Sequence, residues 1–149
     1  MALNPTTLIN QALALAQQGA SKHELPVAAI LVNAQGEVIA QAHNLVETQQ
    51  NPLAHAEMLV LQQAAAQGHK YLQECTIAVT LEPCPMCAAA LCHARIGTII
   101  FGAYDAKSGG TTNGPQVPQH MHHKPKILGG IEEQACRQQL QTFFQSLRS

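Results

Sequence analysis

The sequence has no Trp, two Tyr and three Phe among 149 residues, so its core must be built from Ala, Leu, Val and Ile. It has no run of about 18 or more uncharged apolar residues, which excludes a membrane-spanning helix. Met1-Ala2-Leu3-Asn4-Pro5 lacks the basic stretch and apolar run of a signal peptide, and the expected compartment is the cytoplasm. Charged residues make up only 11% and the net charge is −1 with His neutral, a balance that does not advertise a nucleic-acid binder. The chain lacks an even set of cysteines. Five, two of them in Cys84-x-x-Cys87, make a poor disulfide framework but a plausible metal site. Cys75, Cys92 and Cys136 are expected to be reduced, semi-buried small residues. Internal repeats, long linkers and low-complexity tracts are also missing. Residues 1–149 therefore read as one domain, long enough to bury a core without disulfide staples.

What is present is unevenly spread. Residues 1–94 hold two lysines against six glutamates, giving −4. Residues 95–149 hold six basic against three acidic residues, giving +3, and include His120, His122 and His123. A polyanion, if one binds, should meet the C-terminal third. Asn4-Pro5-Thr6 starts a helix whose apolar residues recur at helical spacing, and Gly19 is expected to end it. Val27–Val32 and Val38–Ala42 read as strands joined by the turn Asn33-Ala34-Gln35-Gly36. A helix follows from about Ala54 to Gln67, closed by Gly68. Thr76–Leu81 is a buried strand, Pro85 opens a helix running to about Arg95, and Thr98–Ala103 is another strand. A Gly-, Pro- and Asn-rich loop runs from Lys107 to about Pro125. A short extended piece near Ile127 and a helix from about Glu132 to Leu147 complete the chain. Strands alternating with helices give a layered α/β domain, and the opening hairpin makes its sheet mixed.

Two segments carry chemistry: His55-Ala56-Glu57, and Pro83-Cys84-Pro85-Met86-Cys87. Each falls where a helix starts after extended chain. Cys84 and Cys87 are three apart, so on a first helical turn both sulfurs face one side, and His55 supplies a third donor from the neighbouring helix. Three N/S donors leave one tetrahedral position open, the mark of a catalytic zinc site. Cys92, five residues past Cys87, points elsewhere and is not expected to be a fourth ligand. Two thiolates cancel the charge of Zn²⁺ and weaken its acidifying effect on water, which makes a nearby base valuable. Glu57, two residues from a donor, is expected to take the water proton and return it to the substrate ring and the leaving amine. The positive end of the helix favours the thiolates. His-x-Glu followed by Pro-Cys-x-x-Cys is the signature of zinc nucleobase deaminases.

With these motifs the sequence resembles bacterial tRNA-specific adenosine deaminases of the cytidine-deaminase-like superfamily. The resemblance runs from Leu25-Pro26-Val27 through Asn51–Glu57 and Thr80–Cys87 to Ala94-Arg95-Ile96-Gly97. It includes Phe101–Lys107 and the ending Phe143–Arg148, two segments that set it apart from free-base and free-nucleoside deaminases. It implies a three-layer α/β/α fold around a five-stranded mixed sheet, one Zn²⁺ per chain and a homodimer. It also implies that the tRNA anticodon stem-loop is the partner and that its wobble adenosine is deaminated to inosine. Asn44 matches a substrate-contacting Asn, and His122 and His123 fall in an RNA-contacting loop. Val27, Ala56, Pro83 and Asp105, within or beside the shared motifs, are further substrate-contact candidates. Asp105 could equally cap the turn that follows it. Ala28 and Leu53 stand where the family usually has Gly and Thr. The alternatives are a zinc deaminase of a free nucleobase or nucleoside, such as guanine or cytidine, and a non-catalytic partner subunit, which would typically lack the carboxylate of Glu57. His43 and His69 belong to no constellation and are expected at the surface. At least one of Phe143 and Phe144 is expected in the core.

Overall fold

The computed structural model describes residues 3–148. Helix α1, Pro5–Ala20, begins as the sequence predicts: Asn4 caps it by accepting the amide of Thr7, and Pro5 occupies its first turn. Strands β1 (Ala28–Val32) and β2 (Val38–His43) form the opening hairpin. Asn33 turns it by accepting the amides of Gln35 and Glu37, with Gly36 at φ 81°. A short helix α2, Val46–Gln49, precedes α3, Ala56–Ala66. Then come β3 (Thr76–Leu81), α4 (Pro85–His93), β4 (Thr98–Ala103), a 3₁₀ turn at Val117–His120, β5 (Lys126–Leu128) and α5 (Glu133–Leu147).

The strands form one sheet in the order β2-β1-β3-β4-β5. β1 is antiparallel to both its neighbours, whereas β3, β4 and β5 run parallel, so the sheet is mixed as expected. Alternating side chains feed two cores. Ala29, Leu31, Ile77, Val79, Ile99 and Phe101 meet Val60 and Ala64 of α3 and Leu91 of α4. Ile30, Val32, Ala78 and Ile100 face the other way, onto Leu8, Ile9 and Ala12 of α1 and Cys136 of α5. The result is the three-layer α/β/α architecture.

Topology then places the site. The ends of β2, β3 and β4 and the start of β1 share one edge of the sheet, as the pairings Ala28 with His43 and Leu81 with Ala103 show. The chain leaving β2 enters α3 at His55, and the chain leaving β3 enters α4 at Cys84. Ligand sites of open α/β sheets lie at this end of the strands.

Several expectations need correction. Gly19 does not end α1, which runs on to Ala20. It is glycine because a Cβ there would lie 2.9 Å from Cγ and Nδ1 of His43. His43 is accordingly buried rather than at the surface, and its Nδ1 lies 2.8 Å from the carbonyl of Asn44. His69 is exposed, as expected. Phe144 is 45% exposed and Phe143 only half-buried, so neither belongs to the core. The side of α5 that turns inward carries Cys136 and Leu140 instead.

Candidate active site and metal centre

His55 and Cys84 are the N-caps of α3 and α4, and Cys87 lies one turn into α4. Pro85 fixes the backbone at the first position after Cys84. The Nδ1 atom of His55 is 3.6 Å from the Sγ atom of Cys84 and 3.6 Å from that of Cys87. A tetrahedral zinc with Zn–N of about 2.0–2.1 Å and Zn–S of about 2.3 Å requires an N···S separation close to ~3.6 Å. The donors therefore fit zinc. This is the one such His/Cys/Asp/Glu group among the described residues, and neither Cys92 nor the His120–His123 tract joins it.

The three donors differ in their electrostatics. A hydrogen bond from the Cys87 thiol, together with His55, holds Cys84 down at about 4 against the opposing effect of burial. The same hydrogen bond and burial push the Cys87 thiol up. The hydrogen bond to Cys84 raises His55 against burial.

Glu57 is 3% exposed, in the first turn of α3. Burial above all, then the charge on Cys84, pushes its carboxyl up to about 7. A carboxyl poised near neutrality can both accept and donate a proton.

These groups open onto a cavity of about 350 Å³, of small-ligand size. Val27, Asn44 and Asp105 line it together with His55, Glu57 and Cys84. The Asn44 side-chain oxygen accepts the amide of Ala56 at 2.9 Å, which leaves its amide nitrogen as the remaining donor on the lining. Asp105 does cap its turn, accepting the amides of Lys107 and Ser108. Ala56 and Pro83 are buried behind the cavity and do not line it. His122 and His123 are not brought to it either. His123 Nε2 lies 2.7 Å from the carbonyl of Ile96, beyond the far end of α4. A second hollow, sharing Leu25, Leu81, Asp105 and Ser108 with the first, is bordered by Tyr104, Lys107, Arg137 and Phe144.

The sequence reading missed two residues of this region, Glu24 and Glu82. Both line the cavity and are almost fully buried, at 1% and 2% exposed. Burial would raise each carboxyl, but hydrogen bonds outweigh it and hold both below the ordinary value. Those of Glu24 come from the amides of Glu47 and Thr48 and the Thr48 hydroxyl. A signal existed in Glu82, a charged residue directly after a buried apolar strand.

A layered fold that places His, Cys and Cys at two helix starts, with a buried glutamate beside them, defines a zinc-dependent hydrolytic deaminase. The family model described as the cytidine and deoxycytidylate deaminase zinc-binding region matches residues 4–103. A tRNA-specific adenosine deaminase of Bacillus subtilis is 42% identical over 143 residues, covering 94% of this chain and 88% of the relative. A solved structure from work on A-to-I editing by tRNA:A34 deaminases superposes with a TM-score of 0.86 at 35% identity, covering 91% of this chain and 99% of that one. A guanine deaminase from Nitrosomonas europaea, at 18% identity and TM-score 0.82 over 96% of this chain and 86% of that one, shares the fold. The chain belongs to the tRNA-specific adenosine deaminases within this zinc-dependent deaminase family.

Proposed function

We propose that the chain acts as a single catalytic domain that hydrolyses adenosine to inosine at the wobble position of a tRNA anticodon. The observation that carries this reading is the His55–Cys84–Cys87 donor set beside a buried Glu57, in a chain related over nearly its full length to enzymes of that name. His55, Cys84 and Cys87 hold zinc, which when bound supplies the Lewis acidity that makes water nucleophilic at neutral pH. Glu57 would take one proton from the attacking water and place it on the purine ring nitrogen, and would then pass a second, from the new hydroxyl on C6, to the departing amine, which leaves as ammonia. Adenosine and water thus give inosine and ammonia. The Asn44 amide and the Val27 wall orient an adenine flipped out of its loop, and Asp105 borders the same cavity.

The buried carboxylate of Glu57 argues against a non-catalytic subunit. The free-base alternative has the weaker likeness in sequence identity, and a shared fold does not fix substrate. All five cysteines are unpaired, which suits the cytoplasm, and among the described residues no helix is long and apolar enough to cross a membrane. We further propose a homodimer packed along α4, where Met86, Ala89 and Ala90 remain half-exposed. Such packing is a route by which His122 and His123 of one chain reach the substrate of another.

The test is mass-spectrometric detection of inosine after incubating the zinc-loaded protein with an anticodon stem-loop carrying adenosine at the wobble position. Guanine, cytidine and free adenosine are assayed in parallel for ammonia. Inosine in the stem-loop is expected. Turnover of guanine or cytidine with an unmodified stem-loop would replace this reading with the free-base one.

A further inference from the structure

Glu82 stands between β3 and the Pro83-Cys84 segment, and its carboxylate accepts six hydrogen bonds from the chain that follows β4. The Asp105 amide donates to Oε1 at 3.0 Å and the Asn113 side-chain amide at 2.7 Å. Oε2 accepts the Thr111 amide at 3.3 Å, the Thr111 hydroxyl at 3.2 Å, the Thr112 amide at 2.9 Å and the Asn113 amide at 2.8 Å. Among the described residues no Lys or Arg forms an ion pair with it, so N–H and O–H dipoles alone compensate the buried charge.

The loop is pressed onto this carboxylate. A Cβ at Gly109 would lie 2.5 Å from Cδ and 2.6 Å from Oε2 of Glu82. A Cβ at Gly110 would lie 2.5 Å from the Pro85 nitrogen and 2.7 Å from the Cys84 carbonyl carbon. Both glycines are buried, and the Gly110 amide donates to the Pro83 carbonyl at 2.8 Å. Residues 111–113 and the Asp105 amide hold the carboxylate, and Asp105 and Ser108 also line the cavity beside the zinc donors.

We propose that Glu82 is a positioning residue: its buried carboxylate fixes residues 105–113 as one wall of the substrate pocket and thereby sets substrate affinity, taking no part in proton transfer. The proposal rests on the reading of this cavity as the adenosine site. Four of the six donors are backbone N–H groups, at least one on each oxygen, and a backbone amide cannot turn to accept. Glutamine has the same shape but turns an NH₂ towards N–H groups, so it cannot reproduce the anchor.

Steady-state kinetics of zinc-loaded wild type, Glu82→Gln, Asn113→Ala and Thr111→Val on the anticodon stem-loop test this. Zinc content and amide hydrogen exchange of residues 105–113 are measured alongside. Glu82→Gln is expected to keep one zinc per chain, to raise KM by at least ~tenfold, the scale of one or two lost hydrogen bonds to a charged group, and to change kcat by less than about threefold. Exchange over 105–113 should rise. Asn113→Ala and Thr111→Val each remove one donor and should raise KM by smaller steps. Wild-type KM in folded Glu82→Gln, or a fall in kcat at constant KM, overturns the proposal. Should Glu82→Gln fail to fold, wild-type KM in both single-donor variants overturns it. A wild-type protein that makes no inosine defeats the proposed substrate instead, a separate result visible in the control.

Discussion

Glu57 shows what a single position must supply. A carboxyl left in water would be fully ionised at neutral pH and a poor proton donor. The start of α3 and the packing around it exclude solvent from this side chain, and burial pushes the group up to about 7. Glu57→Gln should therefore keep the donors His55, Cys84 and Cys87 and bind zinc as wild type. It should lose turnover by at least ~10²-fold, the usual scale for a positioned acid–base group. Single-turnover inosine formation with zinc quantified in the same sample measures both. Undiminished turnover would remove Glu57 from the mechanism. The residue identities at this centre were legible because ligand chemistry restricts them: few side chains bind zinc, and their spacing must match a helical turn. Glu82 and Glu24 were not legible as anchors, because accepting several backbone amides leaves no pattern in the sequence of the donors.

At the scale of elements, helix and strand positions follow from apolar periodicity, and most boundaries fall within one or two residues of where the pattern puts them. The exceptions come from tertiary contact. Gly19 looks like a helix terminator, yet it is buried inside α1 and makes room for the His43 ring. That ring in turn meets the backbone of Asn44, whose side chain holds the first amide of α3. Gly19→Ala should gain up to ~1 kcal/mol of helix propensity and lose about 1–3 kcal/mol to overpacking, for a net fall in Tm. The cost should shrink in the Gly19→Ala/His43→Ala double variant, because the two side chains meet directly. Thermal denaturation of the four proteins decides it, and a higher Tm for Gly19→Ala alone would show that the ring yields freely. The helix α2 escaped the sequence reading because four residues carry too little periodicity to be seen. It is held to the fold by Glu24, which lies more than twenty positions away.

For the whole molecule, the charge split of the sequence does not survive as a single surface. Lys107 and Arg137 border the hollow that adjoins the zinc site, with Arg137 paired to Glu133 at 2.9 Å. Lys124 donates to the carbonyls of Gln119 and Met121. Lys126 pairs with Thr98 at the start of β4, whereas Asp105 follows the strand's other end, and β4 itself spans roughly 17 Å at ~3.3 Å per residue. Linear proximity in the C-terminal third is thus dispersed by the sheet. The same separation isolates His122 and His123 from the cavity of their own chain. A dimer packed on α4 should sediment at twice the chain mass at micromolar concentration, and Met86→Arg on its half-exposed face should dissociate it while zinc stays bound. A monomer that remains fully active on the stem-loop would contradict the shared-site arrangement.

The sequence alone determined the donor set, the glutamate two residues from one of its donors, the alternation of strands and helices and the mixed character of the sheet. Each of these is written in residue type and local spacing, which a linear chain preserves. Tertiary structure decided which loops meet over the zinc donors, which glycines are demanded by packing, and how the cations are distributed. It also decided that two distant glutamates become anchors of the pocket walls. Those properties depend on strand order and on contacts between segments far apart in the chain, and only the folded sheet brings such segments within hydrogen-bonding distance.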